Sequence, residues 1–333
     1  MEPPAKCAKL SHSEKSESGS ILFSRLINNK ICFMGCFPKF FFQSSNSEVV
    51  NLFGSNGNMF RSGDVMELSG PPGSGKSTFL LAIVASCLMP KLFTLGGKKV
   101  NFDGPELSVL YIDCDIKFSV MRLVSLLEHI ILDRLLSLNN SSYDPNIIAA
   151  DMIEESLKRF SFVTSKSSNE LLAILKRVEY FVKKGLPIQL ICIDSISAYQ
   201  WLHVHSSLTK NANMKHVCEE QEELLNCIGR LSHELNVSII FTCGVSFGDK
   251  SFFSDCAINN YTGLPLRPWN EIVSHKVVLN RSYKNPTAKK DNQIRVWIPS
   301  HRRNNKLIEL PSRHFVFDRF LIPNILNADS VKT

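Results

Sequence analysis

Residues 70–78 read GPPGSGKST, which places three glycines and a lysine at the spacing of a phosphate-binding loop. The glycine backbone can wrap a chain of phosphates with its N–H groups pointing inward, and Lys76 can reach the outer phosphates. Ser77 offers a hydroxyl to Mg²⁺, since this hard cation prefers oxygen ligands. The motif stands between a predicted strand and a predicted helix, as it requires. We therefore predict that ATP and Mg²⁺ bind at Gly70, Pro71, Pro72, Gly73, Ser74, Gly75, Lys76, Ser77 and Thr78.

Acidic side chains follow two of the predicted apolar strands, and we expect them at one edge of the predicted sheet. Asp194 ends the strand-like run 190–193, at the edge where α/β folds bind ligands, and we predict that it holds Mg²⁺ through water. An Asp at the end of a strand often only caps the strand. The prediction for Asp194 therefore depends mainly on the phosphate-binding loop that precedes it in the chain. The intervening run LYIDCD at 110–115 offers a carboxylate where a hydrolysing ATPase places the base for its attacking water.

The regions around these motifs alternate between strand and helix patterns. Short apolar runs predict strands at 65–68, 109–113, 188–194 and 237–242. Because a strand covered by helices on both faces needs no polar side, these runs indicate a parallel sheet. Amphipathic periodicity predicts helices at 118–138, 170–184 and 214–235. After residue 273 only strand-like pieces follow, at 275–280, 293–298 and 314–317.

These patterns predict one α/β domain over residues 55–320, with a central, mostly parallel sheet flanked by helices and with antiparallel strands at its C-terminal end. Residues 1–54 lack a regular apolar period and are expected to be largely disordered, and residues 321–333 are expected to form a tail. The most apolar N-terminal run, 31–42, is short and contains a proline and a lysine. We therefore expect neither a membrane span nor a signal sequence.

Composition and charge narrow the class of protein. With 44% hydrophobic and 21% charged residues, the chain is not disordered as a whole. Ten cysteines without a CxxC pair are typical of a reducing compartment. The net charge of +7 is concentrated in residues 276–319, which hold eleven Lys/Arg and three acidic residues. Such a segment suits a polyanion, because each neutralised phosphate releases counterions, but a solvated basic face is an equal alternative.

Three segments, GPPGSGKST, LYIDCD and LICIDSISAYQW, occur in the order and at the spacing of the ATPase core of the RecA recombinase family. The chain resembles this family over about residues 63–282 and is most similar to its eukaryotic paralogues. The resemblance implies a RecA-like fold, ATP at the loop 70–77 and Mg²⁺ at Asp194. It also implies a catalytic position for Asp115, where active members carry Glu.

The resemblance implies DNA contacts as well. In the family, two loops at the same sheet edge contact DNA, and they correspond here to about 201–213 and 244–262. Both contain cations and aromatic side chains, a combination that suits single-stranded DNA. Together with the basic C-terminal segment, they provide the candidate DNA-binding residues Lys210, Lys250, Arg302, Arg303 and Lys306.

Departures from the family argue against an active filament. Only about sixty unpatterned residues precede the core, where full recombinases carry a DNA-binding domain and a docking linker. The F-x-x-A docking pattern at 79–82 lies inside the predicted loop helix, so we interpret it as core. Active members also end the strand at 238–242 with an Asn-Gln pair that senses the γ-phosphate, whereas this chain has Thr242-Cys243-Gly244.

The predicted function is an ATP-binding subunit in a hetero-oligomer of RecA-like paralogues. It would bind single-stranded or branched DNA in the nucleus and serve homologous-recombination repair, with slow hydrolysis at most. Two alternatives stay open. An independent ATP-driven motor should hexamerise and turn over ATP alone, and a P-loop kinase should phosphorylate a small molecule without DNA.

Overall fold

The computed structural model describes residues 60–95, 98–102, 104–137, 144–199, 214–244, 272–281, 292–299, 307–309, 313–317 and 323–326. All of these residues belong to one compact unit. The predicted domain limits near residues 54 and 320 lie outside the described residues and stay predictions.

Ten described strands form one sheet, and two more form a separate hairpin. The strands are β1 Val65–Gly70, β2 Leu92–Leu95, β3 Lys98–Asn101, β4 Val109–Asp113, β5 Phe160–Thr164, β6 Leu190–Asp194, β7 Ser238–Gly244, β8 His275–Arg281, β9 Asn292–Pro299, β10 Leu307–Glu309, β11 Arg313–Phe317 and β12 Pro323–Leu326. The helices are α1 Lys76–Leu88, α2 Val120–Ser137, α3 Pro145–Leu157, α4 Ser168–Lys183 and α5 Met214–Gly229, which continues as a π-helical turn, Arg230–Glu234.

The sheet has the order β12-β11-β9-β8-β1-β7-β6-β4-β5, with β10 beside β9. The six strands from β8 to β5 are parallel neighbours, and the pairs beyond β8 are antiparallel. Every residue of β1, β4 and β6 is buried, as expected for central strands between helices. The predicted α/β fold with a mostly parallel sheet and antiparallel C-terminal strands is confirmed. β8 is the transition, since it runs parallel to β1 and antiparallel to β9.

Several elements were absent from the sequence-based predictions. They are the β2–β3 hairpin, α3, β5, β10 and β12. β5 was missed because it lies at the end of the sheet and two of its five residues are exposed, so it lacks the continuous apolar run of a central strand. α3 has a local signal at its start, where Asp144 accepts a hydrogen bond from the backbone N–H of Asn146 and Pro145 takes the first helical position.

The helix predicted over 214–235 is divided. The α-helical part ends at Gly229, and Leu235 N then donates to Arg230 O, five residues earlier, at 3.1 Å. The guanidinium of Arg230 donates to both carboxylate oxygens of Glu179 on α4 at 3.1–3.2 Å. This ion pair lowers the pKa of Glu179 to about 2, the Arg230 hydrogen bonds being the main cause. The pair joins the two helices that cover one face of the sheet.

Helices cover both faces of the parallel strands. α4 and α5 pack with β6 and β7 in one buried apolar cluster, which includes Leu175, Leu224, Ile191 and Phe241. α1 packs across β1, β7, β6 and β4. Phe79 and Ala82 of α1 are both 1% exposed, which confirms that the F-x-x-A pattern is part of the core.

A buried ion pair joins the neighbouring parallel strands β1 and β8. Glu67 of β1 lies directly beside Lys276 of β8, and Lys276 Nζ is 3.4 Å from Glu67 Oε1. Their side chains are 1% and 2% exposed. Burial raises the pKa of Glu67, and the charge of Lys276 acts in the opposite direction. Lys276 belongs to the basic segment 276–319, but its charge is neutralised inside the protein.

We expect Lys276→Met to destabilise the fold in a pH-dependent way. Without the ammonium, the buried Glu67 carboxyl takes up a proton. Keeping this carboxyl protonated in the folded state costs no stability below about pH 4.3, the pKa of Glu in the unfolded chain. Above that pH the cost rises by about 1.4 kcal/mol per pH unit, up to the pKa of Glu67 in the folded variant. The free energy of unfolding should fall by about 3–5 kcal/mol near neutral pH and by less at pH 5.

The measurement is urea unfolding of both proteins at pH 5 and pH 8, with the double variant Glu67→Met/Lys276→Met as control. Because the double variant lacks the carboxyl, its difference from the wild type should lose this additional pH dependence. Equal destabilisation by Lys276→Met at both pH values would show that Glu67 is not the group responsible.

Candidate nucleotide-binding site

The phosphate-binding motif forms the turn between β1 and α1. β1 ends at Gly70, α1 begins at Lys76, and Ser74 N donates to Pro71 O at 3.2 Å within the turn. Gly73 and Gly75 have φ angles of 76° and 93°, in the left-handed region that favours glycine. The following N–H groups belong to the first turn of α1 and have no partner within the helix. The turn is therefore a backbone cradle at a helix N-terminus, as a phosphate site requires.

The cradle leaves no space for a side chain at Gly70. A Cβ there would lie 2.2 Å from the carbonyl oxygen of Leu279 in β8 and 2.8 Å from Ser74 Oγ. Ser74 is 1% exposed, and its hydroxyl has no hydrogen-bond partner among the described residues. Close backbone approach and a buried, unpaired hydroxyl fit a loop that holds a polar ligand, so the residues present suit ATP.

The side chain of Lys76, the first residue of α1, reaches back into this loop. Its Nζ donates to the carbonyl oxygens of Gly70 and Pro71 at 2.8 and 3.0 Å. Burial lowers the pKa of Lys76, whereas the negative charges of Asp194 and Asp115 act in the opposite direction. The ammonium is thus held by neutral carbonyl groups, within the field of both predicted acidic residues. Ser77, the next residue, stands in the first turn of α1 and is partly exposed.

Asp194 ends β6 at the same edge of the sheet and is 5% exposed. The hydroxyl of Tyr111, from β4, donates to its Oδ2 at 2.9 Å. The hydroxyl of Thr242, from β7, donates to its Oδ1. Burial, together with the neighbouring Asp194 charge, raises the pKa of Tyr111, so this hydroxyl remains a donor. Both carboxylate oxygens are held by hydroxyl groups, and this arrangement suits the outer-sphere role predicted for Asp194.

Asp115 follows β4 and faces the same site. Its side chain is 28% exposed, and Lys117 Nζ lies 3.5 Å from its Oδ2. Asp113, two residues earlier, has a different role. Its two oxygens accept hydrogen bonds from the backbone N–H groups of Asp115 and Phe118, so it shapes the turn. The carboxylate that this turn leaves for chemistry is therefore that of Asp115, and its catalytic role stays a prediction.

Sequence reasoning missed three contributors to the site. Tyr111 and Thr242 hold Asp194, and the guanidinium of Arg122, in α2, donates to Thr78 Oγ1 at 3.1 Å. Tyr111 had a signal, because the strand period of two places it on the same side as Asp113. Thr242 and Arg122 had none, since only the strand order and the packing of α2 bring them to the loop.

The predicted DNA-binding residues Lys210, Lys250, Arg302, Arg303 and Lys306 lie outside the described residues. The two segments predicted to contact DNA, 201–213 and 244–262, lie outside as well, except for Gly244. What the structure describes is where these segments begin: at the edge of the sheet that carries the phosphate-binding loop.

No family model matches the sequence. Two curated proteins do. A DNA repair protein XRCC2 homolog of Arabidopsis thaliana is 26% identical over 268 residues, which cover 67% of this chain and 70% of that protein. The DNA repair protein XRCC2 of Mus musculus is 25% identical over 228 residues, 66% of this chain and 73% of that protein. The chain is XRCC2-like in sequence, which supports the resemblance to a RecA paralogue.

This finding agrees with the sequence motifs, which within the RecA family are most similar to the paralogue called X-ray-repair cross-complementing protein two. The XRCC2-like chain has the parallel sheet, the loop and the edge acids that the likeness implies. Five described cysteines, Cys87, Cys114, Cys192, Cys227 and Cys243, are buried and free. No helix in the described parts of the chain is long and apolar enough to cross a membrane.

Proposed function

We propose that this chain is an ATP-binding subunit of a DNA-binding complex that repairs DNA breaks by homologous recombination in the nucleus. The observation that carries the proposal is the complete phosphate-binding loop on a sheet of XRCC2-like sequence. Both relatives carry the name of DNA repair proteins, and the reduced, buried cysteines suit an intracellular compartment.

In this proposal, the backbone of residues 70–78 holds the phosphates of ATP, and Lys76 neutralises part of their charge. Ser77 and, through water, Asp194 hold Mg²⁺, which when bound neutralises charge on the phosphates. Asp115 would hold the proton of an attacking water. Its side chain is one methylene shorter than the Glu of active family members, which retracts the carboxylate by about 1.5 Å. A misplacement of about 1 Å can cost on the order of a hundredfold in rate, so hydrolysis should be slow.

A second feature supports a role as a subunit. β5 lies at the end of the sheet, next to β4. At either end of β5, Arg159 O accepts from Val109 N and Ser165 N donates to Asp113 O. Because bonding residues alternate along a parallel strand, the backbone groups that point away from β4 are those of the even-numbered residues, Phe160, Phe162 and Thr164. No other described strand lies beside this edge, and a strand edge of this kind can accept an extended segment of another protein.

The side chains around this edge are apolar and exposed. Phe162 is 44% exposed and stacks on Phe118 with ring centroids 4.6 Å apart. Ile116, Val120 and Met121, which lie close to Phe118 in the sequence, are exposed by 48–72%. Exposed apolar groups beside an open strand edge favour a protein partner. We propose that another RecA-like paralogue docks here.

DNA binding would use the segments that begin at the ends of β6 and β7 and the basic C-terminal segment. Since Lys276 is buried against Glu67, we do not count it among the cations of residues 276–319 that would contact DNA. Contacts to phosphate make affinity strongly dependent on salt.

ATP is expected to bind this chain and to be hydrolysed slowly. ATP at about one hundred times its dissociation constant should stabilise the fold by about 2.7 kcal/mol, which thermal unfolding can detect. Lys76→Ala should remove this stabilisation, because it removes a phosphate-binding cation.

Asp115→Glu should hydrolyse ATP faster than the wild type in a steady-state assay with single-stranded DNA. Wild-type turnover as fast as that of a filament-forming recombinase would contradict the proposed weak hydrolysis.

Phe162→Lys is expected to release the partner subunit. A charge on an edge strand opposes the addition of another strand, and interface changes of this kind cost about 1–2 kcal/mol or more. RecA-like subunits that copurify with the tagged chain from cells, quantified by mass spectrometry, should fall about tenfold. Tyr180→Lys is the matched control, because Tyr180 is an exposed aromatic residue on α4. Full retention of the subunits by folded Phe162→Lys would rule out this edge as their docking site.

Charge reversal at Arg302, Arg303 and Lys306 is expected to weaken DNA binding and its salt dependence. Loss of three phosphate contacts should lower the slope of log affinity against log salt by about 2–3. The measurement is fluorescence anisotropy of labelled single-stranded DNA with the purified complex. Reversal at Lys91, Lys166 and Lys184, three exposed lysines of the described core, makes the same change in net charge. If both triple variants behave alike, net charge rather than this patch determines affinity.

A further inference from the structure

A stack of aromatic rings leads from the end of the sheet toward the nucleotide site. Tyr111 of β4 and Phe162 of β5 are paired in register, so their side chains stand on the same face of the sheet. Phe118, from the segment between β4 and α2, contacts both of these rings. Its ring centroid is 4.7 Å from that of Tyr111 and 4.6 Å from that of Phe162. Phe160 completes the stack, with its ring centroid 5.6 Å from that of Phe118.

The exposure of these rings falls from one end of the stack to the other. Phe162 is 44% exposed, Phe118 is partly buried and Tyr111 is 2% exposed. The exposed end lies at the strand edge where another subunit is proposed to dock. The buried end reaches the acidic residue that is predicted to hold Mg²⁺, because the Tyr111 hydroxyl donates to Asp194 Oδ2 at 2.9 Å. Phe118 is therefore the link between a surface position and a buried site.

Phe118 is also attached to the turn that carries Asp115. Its backbone N–H donates to Asp113 Oδ2 at 2.8 Å, and the other carboxylate oxygen of Asp113 accepts from Asp115 N at 3.1 Å. The start of the turn is bonded to Asp194, whose carbonyl oxygen accepts from Cys114 N at 2.7 Å and from Asp115 N at 3.3 Å. Displacement of Phe118 would therefore disturb the positions of both predicted acidic residues.

We infer that Phe118 is a positioning residue for the metal side of the nucleotide site, and that Phe162 contributes to Mg²⁺ binding through it. The inference rests on the proposed function, in that Asp194 is proposed to hold the Mg²⁺ of bound ATP. Phe118 itself touches neither nucleotide nor metal in this scheme. Its stacking contacts restrict the Tyr111 ring, and the restricted hydroxyl keeps the Asp194 carboxylate in one orientation. Removal of a ring from the stack should loosen that carboxylate and leave the phosphate-binding loop intact.

The test is the affinity of the full chain for a fluorescent ATP analogue, measured by fluorescence anisotropy with Mg²⁺ and with EDTA. Phe118→Leu keeps an apolar side chain but removes the ring, and it should weaken binding with Mg²⁺ by roughly two- to tenfold. Phe162→Ala should weaken it by less, since Phe118 then keeps its contacts with Tyr111 and Phe160. Phe118→Tyr keeps the ring and should bind as the wild type. In EDTA all of these variants should match the wild type.

A double-substitution cycle shows whether the effect passes through Tyr111. Tyr111→Phe keeps the ring but removes the hydroxyl that reaches Asp194, so it should itself weaken binding with Mg²⁺. In this background Phe118→Leu should add no further loss, because the connection is already broken. Arg122, in the helix that follows Phe118, donates to Thr78 of the phosphate-binding loop. An effect carried by Arg122 would appear equally in EDTA and would add to that of Tyr111→Phe.

Phe93→Leu is the matched control, because Phe93 of β2 is also partly buried and its ring contacts another phenylalanine, Phe102. It should bind the analogue as the wild type with Mg²⁺ and with EDTA. If Phe118→Leu does not fold, Phe162→Ala replaces it in the cycle with Tyr111→Phe, since Phe162 is an exposed residue whose truncation costs the core little.

The outcomes separate this inference from the proposed function. If the wild type does not bind the analogue, the proposed function fails, and the inference fails with it. If the wild type binds and either Phe118→Leu or Phe162→Ala matches it with Mg²⁺, the inference alone is overturned. Equal losses with Mg²⁺ and with EDTA, losses that add to that of Tyr111→Phe, or an equal loss in Phe93→Leu would overturn it as well.

Discussion

The site depends on the need to satisfy one buried carboxylate. Asp194 stands at the end of β6, and the strands on either side each supply a hydroxyl to it, from Tyr111 and Thr242. A buried charge without such partners costs several kcal/mol, so the ends of these three strands stay together. Since α1 packs across the same strands and carries Lys76, the position of the phosphate-binding loop relative to the sheet edge follows from this constraint.

The parts of the site that could be predicted from sequence are those with a spacing imposed by the backbone. The loop at 70–78 needs its glycines and lysine at fixed positions, and Asp194 follows a continuous apolar strand. Thr242 could not be predicted in its role, because hydroxyl side chains are common and its partner lies on another strand. For Tyr111, the strand period indicated the side of the sheet but not the partner. Only the order β4, β6, β7 makes them neighbours.

The fold shows the same division. Central strands were predicted because burial on both faces requires continuous apolar runs, as in β4 and β6. The edge strand β5 was missed because its exposed residues interrupt that pattern. The exposure of charged side chains was the property least predictable from the sequence. Lys276 was counted among the basic residues of its segment, although it lies inside the protein against Glu67, and a count of charges contains no information on burial.

The pairing of β1 with β8 has a consequence during synthesis. Glu67 and Lys276 are separated by roughly 200 residues, and at about 5–20 residues per second the ribosome needs on the order of 10–40 s to make them. Throughout this interval β1 lacks its neighbour on that side, and its carboxylate has no cation to accompany it into the interior. The nascent nucleotide-binding half therefore cannot close its sheet until most of the chain exists. Chains that terminate before residue 276 would lack the cation that accompanies the Glu67 carboxylate into the interior.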